Sequence, residues 1–351
     1  MSLQAPQVSV IVRSMGRPSL DVALASIAAQ RDVAAEAVVV AACGPGHPPV
    51  PQRCGDHPLR LVTSERRLTR PQAANAGLDA ARGAWIIFLD DDDVFEPGHL
   101  AALLAGAAEA PSAGVITSHA TCAFRDGRVE RFGQPFSLTQ LYERNFIQLS
   151  MALFARSHVA AGCRFDESFE ILQDWDFLLQ LAQRTAFHSV PDATFRWNVD
   201  VGESGAGGGS NHQPEKLAQF RSRVYAKWSD AREALIARTT PLLERAAALA
   251  ASGRYADADR ACDAVLSISA NDPWALNLRA MLLRAQGRVD DARRVQALAV
   301  AVRPDDGALL YNLALLDRAA NDVEAARQHA RRSATLDPSL ASARALAAEL
   351  G

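Results

Sequence analysis

The stretch WIIFLDDDD at residues 85–93 decides the fold of the first part of the chain, because an apolar run ends there in four consecutive aspartates. A short apolar run of this kind predicts a buried β-strand. Four adjacent carboxylates repel one another, and a divalent cation that bridges them to a phosphate would remove the repulsion. Such hard oxygen ligands suit magnesium or manganese. The alternative is a solvated acidic turn before a new element at Pro97 and Gly98.

Short apolar runs alternate with helical stretches around this segment. Strands are predicted at residues 8–12, 37–40 and 59–62, and helices at residues 19–30 and 71–82. This alternation predicts an α/β fold with a mostly parallel, Rossmann-like sheet. Ligands of open α/β sheets bind at the carboxyl ends of the strands. The loop at Arg13 and Ser14 and the aspartates at 90–93 are therefore expected on one binding edge.

The last third of the chain has a 34-residue period. Three sets of residues recur in this register: Gly253, Gly287 and Asn321; Ala258, Ala292 and Ala326; and Ala246, Ala280 and Ala314. Each unit reads as a helix, a turn and a second helix, which resembles the tetratricopeptide repeat over about residues 239–350. The first unit departs from that pattern, since Ala270 stands where proline is usual. Three units reach the number needed to bury a continuous core, and the resemblance implies a protein partner or self-association.

These patterns predict three parts: an α/β domain at residues 1–220, a connecting helix or linker at 221–238, and an all-α repeat solenoid at 239–351. Residues 202–212, GESGAGGGSNH, are too glycine-rich to hold one conformation alone. They are interpreted either as a plain linker or as a lid that substrate orders.

Composition narrows the classes of function. The formal net charge is −3 and no long basic run occurs, which argues against a nucleic-acid partner. No apolar run approaches the ~18 residues of a membrane-spanning helix, and the first residues lack a signal-peptide pattern. The five cysteines are scattered without paired spacing, so neither disulfides nor a zinc site are indicated. We expect a cytoplasmic protein, with peripheral attachment at the inner membrane face as an alternative.

Four ordered blocks resemble a family 2 glycosyltransferase of the GT-A fold. They are residues 8–12 with 17–18 and 26–30, residues 75–78 with 81–83, residues 89–93, and residues 173–177. The resemblance implies an inverting hexosyl transfer from a nucleotide-sugar, expected to be a UDP-sugar, to a hydroxyl of a glycan, lipid-linked or protein acceptor. It also implies a divalent cation, manganese or magnesium.

The resemblance also suggests roles for four aspartates. Asp92 is the predicted metal ligand, and Asp90 lies toward the nucleotide ribose and shares the ion. Asp91 is placed with the donor-binding residues, although a solvent-facing or helix-capping role is its alternative. Asp174 is the predicted base that takes the proton of the acceptor hydroxyl. Its alternative is a structural one, because aspartate is favoured at a helix start whatever the function.

Several positions depart from the family pattern. An acidic pair that contacts the nucleobase usually follows the second strand, whereas this chain has Ala41 and Ala42. Arg13 and Ser14 are predicted to bind the donor, with Arg13 as a phosphate ligand or, alternatively, a surface charge.

Two further polar residues are candidate ligands. Asn75 is predicted to border the donor pocket, and its alternative is a structural hydrogen bond. His212 of the glycine-rich stretch is a candidate metal or phosphate ligand once that stretch closes.

Three hypotheses follow from the sequence. The first is an active transferase in surface glycan synthesis or protein glycosylation. The second is an inactive transferase-like domain in a repeat-based adaptor, which the missing acidic pair favours. The third is a nucleotidyltransferase, which the lack of a glycine-rich, lysine-bearing loop near residues 13–18 argues against.

Overall fold

The computed structural model describes residues 6–199 and 214–351, which form two compact units. The first unit comprises the described residues of Met1–Gln134 and Asn145–Lys227, and the second comprises Pro135–Arg144 and Trp228–Gly351. The chain therefore passes into the second unit once before it reaches the repeats. The predicted linker, residues 221–238, does not coincide with helix ends, because one helix spans residues 220 and 221 and another spans residues 238 and 239.

The described part of the first unit has one sheet of ten strands. The strands are β1 Val8–Ser14, β2 Ala35–Ala41, β3 Arg53–Cys54, β4 His57–Val62, β5 Trp85–Asp90, β6 Val94–Phe95, β7 Ala113–Ala123, β8 Val129–Phe132, β9 Ala152–Ala155 and β10 Ala186–Asn198. Their order is β3-β4-β2-β1-β5-β9-β7-β10-β6, and β8 pairs with β7.

The sheet has two halves that differ in the direction of their strands. Strands β4, β2, β1 and β5 are parallel, as the alternating sequence predicted. Strand β9 is antiparallel to both β5 and β7, whereas β7 and β10 are parallel. The sheet is therefore mixed: a parallel half is extended by a half that contains antiparallel pairs. The apolar residues of β1, β2 and β5 are almost fully buried, as expected of parallel strands covered on both faces.

The helices of the first unit are α1 Ser19–Ala28, α2 Arg70–Ala80, α3 His99–Glu109, α5 Arg156–Ala160, α6 Gln173–Ala182 and α7 Pro214–Lys227. Helix α2 begins with a capping box, in which Thr69 and Gln72 satisfy each other's backbone N–H groups. Gly77 lets α2 pack closely on β1, because a Cβ atom there would overlap Cγ2 of Ile11. This contact packs the second half of α2 against the middle of β1.

The second unit contains α4 Leu138–Glu143, α8 Ser229–Ala251, α9 Tyr255–Ile268, α10 Pro273–Ala285, α11 Val289–Val302, α12 Gly307–Ala319, α13 Val323–Leu336 and α14 Ala341–Glu349. Helix α8 spans residues 238 and 239, where the predicted linker meets the predicted repeats. The turn residues Gly253, Gly287 and Asn321 have φ of 75°, 77° and 64°. The left-handed conformation is the one that glycine and asparagine adopt most readily.

The six alanines of the 34-residue register are all fully buried between these helices. Small side chains at these positions allow the paired helices to approach closely. The predicted tetratricopeptide-like, all-helical region is confirmed.

Candidate functional site

Asp90 and Arg13 form an ion pair at the carboxyl edge of the sheet. They are direct partners in the parallel pairing of β5 with β1, and Nη2 of Arg13 donates to Oδ1 of Asp90 at 2.5 Å. Burial alone would raise the pKa of Asp90, but Arg13, with Arg70 and Arg17, lowers it below its ordinary value. The other terminal nitrogen of Arg13, Nη1, is buried without a hydrogen-bond partner among the described residues. An unpartnered guanidinium nitrogen is suited to an anionic ligand.

Asp91 and Asp92 lie beside a second arginine, Arg17. Oδ2 of Asp91 accepts from the backbone N–H of Met15 at 2.9 Å. Nη1 of Arg17 lies 3.6 Å from Asp91 and 3.4 Å from Oδ2 of Asp92. Burial, together with the charges of Asp90 and Asp91, raises the pKa of Asp92 to about 6. A cation beside Asp92 would favour its ionised form.

Asp93 anchors the end of β10. Its side chain is 2% exposed, and Oδ1 accepts from the backbone N–H of Asn198 at 2.9 Å. The side-chain amide of Asn198 donates in turn to the carbonyl of Asp92 at 2.7 Å. Burial, then the charge of Asp90, raises the pKa of Asp93 to about 8 despite these hydrogen bonds. Asp93 is thus protonated near neutral pH, and it holds the end of β10 in the sheet.

Asp174 lies in the first turn of α6. The N-cap position belongs to Leu172, with φ of 60°, so Asp174 is not the capping residue. Its Oδ2 accepts from Nδ2 of Asn145 at 2.9 Å. Burial raises the pKa of Asp174, although the charges of Arg13 and Arg70 oppose that rise. A half-buried carboxylate with a raised pKa is suited to accept a proton.

Arg70, the first residue of α2, is a site residue that the sequence interpretation missed. Burial, then the charge of Arg13, lowers its pKa, while the charges of Asp90 and Asp174 raise it. Within residues 6–199 and 214–351, Arg70 has no hydrogen bond or ion pair closer than 4 Å. A cation at a helix N-terminus opposes the helix dipole. An arginine at the first position of a helix is thus locally unfavourable, and this was the sequence signal that could have identified Arg70 as a site residue.

Ser14 and His47 meet at the loop where the acidic pair is missing. Ser14 is fully buried, and its Oγ lies 2.8 Å from Nε2 of His47 and accepts from the backbone N–H of Gly16 at 3.0 Å. The contact joins residues 33 positions apart, and no spacing pattern marks His47 in the sequence. Donor binding by Ser14 stays a prediction.

Asn75 contacts the backbone of Phe165 through both ends of its amide. Nδ2 donates to the carbonyl of Phe165 at 2.9 Å, and Oδ1 accepts from the N–H of Phe165 at 3.0 Å. These bonds are the structural role that was the alternative for Asn75, and a donor contact stays a prediction.

His212 lies outside the described residues. Among those described, no group of three or more histidine, cysteine, aspartate or glutamate side chains is arranged to hold a metal ion. The carboxylates of Asp90 and Asp92 are nevertheless hard oxygen donors of the kind that magnesium and manganese prefer. Their side chains are 37% and 16% exposed, so an ion could reach both. The donor chemistry thus fits a divalent cation, and Arg13 and Arg17 supply positive charge beside the same carboxylates.

Part of the chain matches a known protein family. Residues 9–168 match the family described as glycosyl transferase family 2. These residues form a family 2 glycosyl transferase domain. With its mixed sheet flanked by helices, the transferase domain is of GT-A type, and the tetratricopeptide-like region follows it. The matched range ends before Asp174, so the match does not include the candidate base.

Curated proteins and solved structures are similar to parts of this chain. An uncharacterised glycosyltransferase of Bacillus subtilis (strain 168), YwdF, is 28% identical over 204 residues, which are 54% of this chain and 72% of that protein. The succinoglycan biosynthesis protein ExoO of Rhizobium meliloti (strain 1021) is 31% identical over 158 residues, 44% of each chain. Among solved structures, S. aureus TarS is similar at 16% identity and a TM-score of 0.49, over 92% of this chain and 54% of TarS. The chain thus spans less than two thirds of two of these three proteins.

None of the helices in the described part of the chain is long and apolar enough to cross a membrane.

Proposed function

We propose that the protein is a metal-dependent, inverting glycosyltransferase. It moves a sugar from a nucleotide-sugar to an acceptor hydroxyl by direct displacement, in surface polysaccharide synthesis or protein glycosylation. The family 2 match supports sugar transfer, and the likeness to a succinoglycan biosynthesis protein supports a polysaccharide product.

One observation carries the proposal: Asp90 and Asp174 interact with the same two arginines, Arg13 and Arg70. The two carboxylates belong to β5 and α6, far apart in the sequence. Direct displacement needs a base for the acceptor and positive charge for the leaving diphosphate at one place. Asp174 supplies the first, and the two arginines supply part of the second.

Asp90 and Asp92 would hold the divalent cation, which when bound neutralises charge on the departing diphosphate. Arg13 would bind the phosphates through its unpartnered Nη1, and Arg70 would bind them from the start of α2. The half-buried carboxylate of Asp174 would accept the proton of the acceptor hydroxyl as the new glycosidic bond forms.

Calorimetric titration of nucleoside diphosphates, with and without manganese, tests the donor site. We expect one nucleotide to bind only with manganese, and its binding to be lost in Asp92→Asn. Asp126→Asn is the matched control, because Asp126 is an exposed residue of the turn after β7. Binding by Asp92→Asn equal to that of wild type would contradict the metal assignment.

A turnover assay with the corresponding nucleotide-sugars then tests the base. Asp174→Asn is expected to lower kcat by about 10²–10⁴-fold, with nucleotide binding retained. Full transfer by this variant would refute the base assignment. Failure of every nucleotide to bind wild type would favour the adaptor hypothesis, which the pairing of Arg17 with Asp91 and Asp92 also favours.

A further inference from the structure

The segment Pro135–Arg144 belongs to the second unit, although β8 precedes it and the short 3₁₀ helix Leu149–Met151 of the first unit follows it. Two loops of the second unit hold this segment. They are residues 269–272, between α9 and α10, and residues 303–306, between α11 and α12. The two loops occupy equivalent positions of the 34-residue period. The repeats thus bind a peptide of their own chain at successive inter-repeat loops.

The first loop holds the segment through hydrogen bonds at buried side chains. Nδ2 of Asn271 donates to the carbonyl of Phe136 at 2.9 Å. The hydroxyl of Thr139 donates to Oδ2 of Asp272 at 2.8 Å and lies 2.9 Å from Oγ of Ser269. Ser269 and Asp272 are at most 2% exposed. Hydrogen bonds shielded from water in this way contribute more than exposed ones.

The second loop contacts the end of the segment through two ion pairs. Arg303 donates to Glu143 at 2.7 Å, and Arg144 donates to Asp305 at 2.6 Å. The side chains of Arg144 and Asp305 are 40% and 60% exposed, so that pair contributes little to stability. The hydrogen bonds of Thr139, in contrast, reach the buried side chains of Ser269 and Asp272.

The residue after Arg144 contacts the candidate base. Nδ2 of Asn145 donates to Oδ2 of Asp174 at 2.9 Å, and its Oδ1 accepts from the backbone N–H of Ile147 at 3.2 Å. The bond from Ile147 orients the amide so that its N–H group faces Asp174. Donation to a carboxylate favours the ionised form, which is the form a base must have.

We propose that Asn145 is a positioning residue for Asp174, and that the segment before it, Pro135–Arg144, is a peptide that the repeats of its own chain bind. The importance of Asn145 for catalysis rests on the proposed function, whereas the attachment of the segment to the repeats does not.

The attachment is tested by Thr139→Val, which removes the hydroxyl at nearly constant volume. Hydrogen exchange of the amides of α4, Leu138–Glu143, is expected to accelerate about three- to tenfold, the effect of losing one or two hydrogen bonds. Thr335→Val is the matched control, because the hydroxyl of the exposed Thr335 donates to the carbonyl of Arg331 in its own helix. Equal exchange in the two variants would overturn the attachment, whatever the activity of the protein.

The positioning role is tested by Asn145→Ala in the full chain. We expect kcat to fall about 10- to 100-fold, as for a lost hydrogen bond to a charged group, with the donor KM within about twofold. The acid limb of the kcat profile moves to higher pH, since the ionised Asp174 loses one of its hydrogen-bond donors. An unchanged acid limb would overturn the role.

An isotope-edited NMR titration of the Asp174 carboxyl gives the same readout without turnover. Its pKa is expected to be higher in Asn145→Ala than in wild type, and equal values would reject the inference. Absence of nucleotide binding and transfer in wild type would refute the proposed function alone. The NMR titration would still test the positioning of Asp174, and the exchange experiment would still test the attachment of the segment.

Discussion

Replacing Asp93 by asparagine tests the electrostatics of the acidic edge. The folded state holds the Asp93 proton up to about pH 8, whereas the unfolded chain releases it near the ordinary value of 3.8. The folded-state pKa is raised, so the contribution of this group to stability is complete below pH 3.8 and is lost as the pH rises through about 8. The limiting slope is about 1.4 kcal/mol per pH unit. Between about pH 5.5 and 8 the loss approaches about 3 kcal/mol.

Asparagine cannot ionise, and its Oδ1 can still accept from the backbone N–H of Asn198. The free energy of unfolding of Asp93→Asn, relative to that of wild type, is therefore expected to increase by about 3 kcal/mol between about pH 5.5 and 8. The assay is urea unfolding in the presence of EDTA. Hydrogen exchange of the β5 amides monitors the unfolding, because these amides report on the first unit alone. Asp126→Asn should follow wild type at both pH values. Equal pH dependence in Asp93→Asn and wild type would place the Asp93 pKa near its ordinary value and refute the reasoning.

Three other substitutions test the packing and the site. Gly77→Ala should lower the free energy of unfolding by about 1–3 kcal/mol, because the new Cβ atom overlaps Ile11. Gly46→Ala is the control in the same urea titration and should be close to neutral, because no atom lies near its Cβ. Asn321→Ala should lower the melting temperature of the second unit through a left-handed backbone cost of about 1–2 kcal/mol, whereas Asn321→Gly should not. Arg70→Gln should weaken nucleoside diphosphate binding about tenfold in calorimetry while leaving the melting temperature unchanged; equal affinity would remove Arg70 from the donor site.

Features of the fold that repeat or alternate were predictable from the sequence. The 34-residue register is visible because each unit buries the same small side chain, and the parallel strands are visible because both of their faces are buried. The antiparallel β9 was not predicted, since its four residues are inserted between β5 and β7 by tertiary pairing. Likewise, no local pattern reveals that Pro135–Arg144 belongs with the repeats. Its partners lie more than a hundred residues further along the chain.

The same distinction holds for the site. The aspartates at 90–93 and Asp174 were found because they occupy recognisable strand and helix ends. Which of these carboxyl groups is ionised depends on the residues that the fold places beside them, such as Asn198 beside Asp93. His47 was missed because its contact with Ser14 joins residues 33 positions apart. Arg70 was missed because the fold brings the charges of Arg13, Asp90 and Asp174 near it.

The attachment of Pro135–Arg144 to residues 269–306 has a consequence for synthesis. Ribosomes add about 5–20 residues per second, and domains fold as they emerge, the N-terminal one first. Residues 269–272, which bind Thr139, are then synthesised roughly 6–25 seconds after the segment Pro135–Arg144 at these rates. During that interval helix α4 awaits its partners, and a repeat unit of a neighbouring nascent chain could bind it instead. Pairing of neighbouring chains on one messenger, by exchange of this helix, is the assembly error to which the topology exposes the protein.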